Sequence, residues 1–121
     1  MDLYREQILD HYKHPRNFGH IDHPDVVQEE GNVTCGDRVV LEIAFEGKGK
    51  LKKVKAIAFW GEGCAISQAS ASMLTEMVKT MKIDDVKKIT PNDVFDMLGT
   101  TLTPSRTRCA LLSLEVLQKA L

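Results

Sequence analysis

WGEGCAISQASASML, Trp60–Leu74, is the stretch in which the chain changes period. Before it, Leu51–Trp60 reads as a strand, polar at Lys52, Lys53 and Lys55 and apolar from Ala56 onward. After it, Ile66, Ala69, Met73, Met77 and Met81 form one helical stripe, with Leu74 and Val78 beside it. Gly61 and Gly63 make the handover, because glycine admits backbone conformations and close approaches closed to other residues. Cys64 stands at the junction. A cysteine opening a helix feels unpaired N–H groups and the positive end of the dipole, which favour thiolate over thiol. A buried, inert cysteine behind a strand-to-helix turn is the competing reading. The Met stripe is read as core filler, and Ser67, Ser70 and Ser72 keep the early turns small and polar.

Toward the amino terminus, Glu46–Lys50 (EGKGK) is a glycine-rich hairpin turn. Val39, Leu41, Ile43 and Phe45 alternate with Arg38, Val40, Glu42, Ala44 and Glu46, the pattern of a half-buried strand. The lysines of the partner strand read as a solvated face or as protection of a sheet edge. Gly31–Asp37 (GNVTCGD) is a turn-rich loop carrying Cys35, and Asp25–Glu30 is read as an edge strand. All four histidines lie in the first 23 residues, at positions 11, 14, 20 and 23, and are expected to face solvent. Asp2–Lys13 is read as a helix with Tyr4, Ile8, Leu9 and Tyr12 on one face, stopped by Pro15.

Toward the carboxyl terminus, Thr90 and Pro91 predict an N-cap and first helical residue, with Asp93 close behind and Gly99 at the end. Ile83–Ile89 is a short segment of undecided type. Thr100–Arg106 (TTLTPSR) reads as a loop. A last helix carries Leu111, Leu114, Leu117 and Leu121, widened by Leu112 and Val116, with Cys109 in or just before its first turn.

At 121 residues the chain suits one domain with a single modest core. Apolar content of 43% and charged content of 27% fit a globular protein. A net charge of −1 argues against nucleic acid or an anionic membrane as partner. No apolar run approaches a membrane span and no apolar signal segment follows Met1, so a cytoplasmic location is expected. Three cysteines cannot all pair internally, which favours thiol or metal chemistry over disulfides.

Each cysteine is read at the end of an element: Cys35 before a strand, Cys64 and Cys109 opening helices. Three such ends can converge at one edge of a small sheet, and three thiolates leave one position open in a tetrahedral site. Asp37, two residues from Cys35, can supply a carboxylate. Three sulfurs and an oxygen suit zinc or an iron–sulfur cluster better than magnesium or calcium. There is no CxxC pair, and separations of 29 positions (Cys35 to Cys64) and 45 (Cys64 to Cys109) match no common zinc finger.

TCGD at 34–37, GEGCAIS at 61–67 and RCALL at 108–112, with the amino-terminal LYREQILDHYKHPRNFG, resemble the U-type iron–sulfur assembly proteins, the IscU/NifU/SufU family. GEGCAISQASASML and Arg108, where IscU-type members carry histidine, look SufU-like; the 45-residue separation looks IscU-like. The resemblance implies an α+β, SufE/NifU-like fold over residues 1–121, a small antiparallel sheet with helices packed against it, with which the strand–strand–helix reading agrees. It also implies a ligand set of Cys35, Asp37, Cys64 and Cys109. It implies zinc in the protein as purified, and a transient [2Fe–2S] cluster or iron. The implied partners are a cysteine desulfurase, whose sulfur Cys35 would accept, and apo iron–sulfur acceptor proteins. Two readings follow: a cluster scaffold, or a zinc-dependent sulfurtransferase partner of a SufS-type desulfurase. A zinc-stabilised structural module without transfer chemistry is the third possibility. The family's chaperone-binding LPPVK stands here as LTPSR, Leu102–Arg106, which weakens the expectation of an Hsp70-type partner. Arg108 cannot ligate a metal as an ordinary protonated guanidinium; it either balances thiolate or persulfide charge or reaches solvent.

Overall fold

A computed structural model describes residues 3–32, 36–99 and 102–121. Helix α1 (Leu3–Lys13) leads into a three-stranded antiparallel sheet ordered β1 (Val26–Asn32), β2 (Asp37–Glu46), β3 (Lys53–Glu62). Helices α2 (Ala65–Val78), α3 (Ile83–Val86), α4 (Pro91–Leu98) and α5 (Pro104–Lys119) follow. The expected α+β architecture is therefore present, with β1 on an edge as expected.

Val39, Leu41 and Ile43 of β2 join Val54, Ile57 and Phe59 of β3 in the main core, against Ala69, Met73, Leu74 and Val78 of α2 and Leu112, Leu114, Val116 and Leu117 of α5. This is the alternation read from the sequence. The expectation that β2 is only half buried is corrected, because Val40, Glu42 and Ala44 on its other face are buried too. The segment before β1 covers them. Backbone bonds between Phe59 and both Asn17 and Gly19 tie this segment to the β3 edge, and the Asp25 N–H reaches the Ile43 carbonyl on the far side. Between these ties, the Glu42 carboxylate accepts from the Ile21 N–H (3.2 Å) and Trp60 Nε1 (2.8 Å) and meets His20 Nδ1 (2.5 Å). A buried carboxylate persists only when so paired. Polar residues thus seal the sheet face that a period-two pattern assigned to water.

Two of the four histidines depart from a plain solvent-facing role. His20, though largely exposed, meets Glu42, and His11 is half-buried with Nδ1 2.7 Å from Ser72 Oγ. The apolar face expected on α1 is correspondingly thin: Ile8 is buried, whereas Leu9 and Tyr12 are exposed. Where α1 meets α2, part of the contact is polar, a serine hydroxyl facing the imidazole. The Arg16 N–H donates to the same oxygen (2.8 Å), so Ser72 fixes both the helix and the turn after it.

The carboxyl-terminal boundaries are set by caps. Thr90 and Asp93 form a reciprocal capping box, and Gly99 closes α4 in the left-handed region at φ 69°. Ile83–Ile89 contains one helical turn, α3. The loop expected over Thr100–Arg106 is shorter than read, because Thr103 and Pro104 already form the N-cap and first residue of α5. Cys109 consequently lies in the second turn of α5, not at its opening.

Candidate metal and sulfur site

Three motifs meet where β2 starts, β3 ends and α5 passes. The antiparallel register pairs Arg38 with Glu62, so one step further Asp37 comes opposite Gly63 and beside Cys64. Gly61, still within β3, has φ 135°, and a Cβ there would collide with the Arg38 carbonyl. At Gly63 the requirement is space alone: a Cβ would run into Asp37 Oδ1 and Ser67 Oγ and lie 3.0 Å from Asp37 Cγ. The two glycines therefore let the β3–α2 junction close over the Asp37 carboxylate.

Asp37 is the first residue of β2 and only 3% exposed. The sequence reading placed it in a turn-rich loop; that is corrected, because Asp37 is already paired in the sheet opposite Asn32. The Cys64 N–H donates to Oδ1 at 3.0 Å, while Oδ2 is buried with no hydrogen-bond partner among the described residues. A buried carboxylate oxygen without a partner is costly unless a cation faces it. Cys64 is the N-cap residue of α2, and Cys109 reaches the same place from α5, 3% exposed. One carboxylate oxygen and the two sulfurs all lie within 4.8 Å of one another. Donors of a tetrahedral site with zinc–sulfur bonds stand about 3.8 Å apart, so these three would need only small rotations to share one ion. The sequence-predicted Asp37, Cys64 and Cys109 are thus brought together; Cys35 lies outside the described residues.

Burial pushes the Cys64 thiol up, but the N–H groups of Ser67 and Ile66 at the helix start more than offset it. The Asp37 charge acts upward and a hydrogen bond from Cys109 downward, leaving the thiol more acidic than an ordinary cysteine. No side-chain cap hydrogen bond of full geometry forms at Cys64, so the backbone dipoles act on its sulfur largely through their field. Ser67 Oγ donates to the Cys64 carbonyl (3.0 Å), securing the first turn beneath the thiol. Arg108 is exposed. Sequence reasoning named close approach as a use of Gly61 and Gly63, and the Asp37 carboxylate and Ser67 Oγ are what approach Gly63; it missed the roles of Ser67 and its neighbours. The only signal for those roles was Ser67, Ser70 and Ser72 themselves, which were read as keeping the early turns of the helix small and polar.

Fold and site together define a small α+β protein in which the thiols of Cys64 and Cys109 and one buried carboxylate converge at an end of the sheet. The family described as the NifU-like N terminal domain matches residues 3–121, and the chain belongs to it. The zinc-dependent sulfurtransferase SufU of Bacillus subtilis is 35% identical, over 97% of this chain and 88% of that protein. The iron-sulfur cluster assembly scaffold protein IscU of Aquifex aeolicus is 36% identical, over 98% and 73%. A crystal structure of a putative iron-sulfur cluster assembly scaffold protein for the SUF system, from Fervidobacterium islandicum, superposes with a TM-score of 0.76 at 27% identity, covering 95% of this chain and 93% of that one.

Proposed function

We propose that this chain is an iron–sulfur cluster assembly protein, which accepts sulfur from a cysteine desulfurase and builds a [2Fe–2S] cluster for delivery to apo-proteins. The observation that carries the reading is Asp37 Oδ2, buried, without a partner among the described residues, and close to the thiols of Cys64 and Cys109. That donor set fits zinc in the resting protein, held by Asp37, Cys64, Cys109 and, by motif, Cys35. Zinc when bound would hold the sulfurs as thiolates and shield them from oxidation. The cluster is cargo on the same residues.

The chain's own contribution is to supply nucleophilic thiolate at the sheet end. A thiolate, assigned to Cys35 by its motif, attacks the outer sulfur of the desulfurase persulfide. The S–S bond there breaks, the desulfurase cysteine leaves as thiolate, and the new persulfide remains on this chain. Cys64, held acidic by α2, and Cys109 stand ready as further sulfur ligands. No described helix is long and apolar enough to cross a membrane, and we place the reaction in the cytoplasm.

The SufU-type reading, a zinc-dependent sulfurtransferase, is favoured by Arg108 in place of the family's histidine and by the relative from Bacillus subtilis. One anaerobic mixture separates the two. With a cysteine desulfurase, cysteine and ferrous iron, a scaffold acquires sulfur-to-iron charge-transfer absorption and donates its cluster to an apo-ferredoxin. A sulfurtransferase instead raises desulfurase turnover and carries persulfide, with zinc retained and no colour. Neither colour nor persulfide would reduce the site to a structural metal centre.

A further inference from the structure

Cys64 and Cys109 sit on helices that are not consecutive: α3 and α4 intervene between α2 and α5. The separation of the two sulfurs therefore depends on how α2 packs against α5. Ser70 and Ser113, fully buried at 0% and 1% exposure, lie at that contact. Ser70 Oγ donates to the carbonyl of Ala110, the residue next to Cys109, at 2.6 Å. Ser113 Oγ stands 3.1 Å from Ser70 Oγ. Ser70 has a single hydroxyl proton, and it is committed to Ala110, so Ser113 is the donor in the second contact. A polar chain results, Ser113 to Ser70 to the Ala110 carbonyl, crossing between the helices that carry the two thiols.

Apolar burial is non-directional and tolerates small slides of one helix over another. A short hydrogen bond does not, since it weakens steeply with misalignment. Two hydroxyls taken from water also cost free energy, which their bonds to each other and to the Ala110 carbonyl offset. Alanine at both positions would pack without that cost.

We propose that Ser70 and Ser113 are positioning residues for the site: they lock α2 against α5 beside Cys109 and so set the spacing at which the two thiols meet a metal. The inference rests on the reading of Cys64 and Cys109 as ligands of one ion. Ser72 provides the internal control. It is the same residue type on the same helix, also fully buried, and its hydroxyl likewise makes two bonds, but these go to His11 and to the Arg16 N–H.

The test uses the full chain loaded with Co(II), whose visible absorption reports thiolate ligation and site geometry. The dissociation constant comes from competition with a chromophoric chelator. Ser70→Ala should bind Co(II) about tenfold more weakly than the parent, the low end of what loss of a supporting shell costs, with altered visible bands. Ser72→Ala should keep parental affinity and bands, although both variants melt at lower temperature without metal. Should Ser70→Ala fail to fold, Ser113→Ala removes one link of the chain and should weaken binding in the same direction by a smaller factor. Parental affinity and spectrum in the folded Ser70→Ala variant, or in Ser113→Ala in its place, would overturn the proposal, as would an equal loss in Ser72→Ala. A parent protein that shows no thiolate-to-cobalt absorption would instead remove the ligand assignment itself, and the positioning role with it.

Discussion

At the scale of single residues, the site depends on what is absent at position 63 as much as on what is present at 37, 64 and 109. Gly63→Ala places a methyl group against the Asp37 carboxylate and Ser67 Oγ. Overpacking of this kind costs about 1–3 kcal/mol, and the carboxylate is among the groups that must yield. The expected outcome is a lower melting temperature and metal affinity reduced by about tenfold, read by thermal denaturation and chelator competition. Unchanged affinity would show that the carboxylate is not held for an ion. Asp37 also raises the Cys64 thiol by its charge. In metal-free Asp37→Asn, alkylation of Cys64, followed by mass spectrometry across a pH series, should therefore reach half-maximal rate at lower pH than in the parent. A profile moved upward would contradict the assigned electrostatics.

At the scale of elements, local signals were sufficient wherever a cap or a turn was encoded in adjacent residues. Thr90, Pro91, Asp93 and Gly99 specify α4, and each occupies its expected place. Thr90→Ala removes the acceptor of the Asp93 N–H. It should cost about 1 kcal/mol, or about 4 °C in melting temperature for a chain of this size, without changing metal affinity. Loss of metal binding in that variant would mean that α4, too, governs the site. The start of α5 was less legible. Thr103 and Pro104 carry the same N-cap and N1 signal as Thr90 and Pro91, but glycine- and threonine-rich sequence on their amino-terminal side drew the whole stretch into a loop. That misplacement put Cys109 at a helix opening. Its depth within α5 is what makes helix packing, and not a loop, responsible for its position.

At the scale of the whole molecule, two polar contacts between sequence-distant parts shape the response to acid. Burial pushes the Glu42 carboxyl up, and bonds from His20, the Ile21 N–H and Trp60 more than reverse it, so its folded pKa lies below the ordinary 4.5. Burial, with the nearby Arg16 charge, holds His11 below its ordinary 6.5. In both cases the unfolded chain binds more protons than the folded one, so stability rises with pH through each window. The metal-free protein should hold its melting temperature above about pH 7, lose some as pH falls through the ordinary histidine value, and lose more below the ordinary carboxyl value. Glu42→Gln should flatten the lower limb and His11→Gln the upper one. A melting temperature that rises on acidification would reverse the sign argued for both groups.

The sequence by itself determined the strands, the hairpin that makes the sheet antiparallel, most of the helices and the types of donor side chain offered, because periodicity, caps and side-chain type are local properties. It placed Asp37, Cys64 and Cys109 in motifs that belong together, and the fold brings those three residues to one point. Tertiary structure alone decided that the second face of β2 is sealed by Glu42, His20 and Trp60, that Asp37 is buried at a strand start, and that serines on α2 tie it to α1 on one side and α5 on the other. The physical reason is the same in each instance. A polar side chain can be buried wherever the fold supplies a partner, and those partners lie 18 to 61 positions away in the chain, beyond the reach of any local pattern.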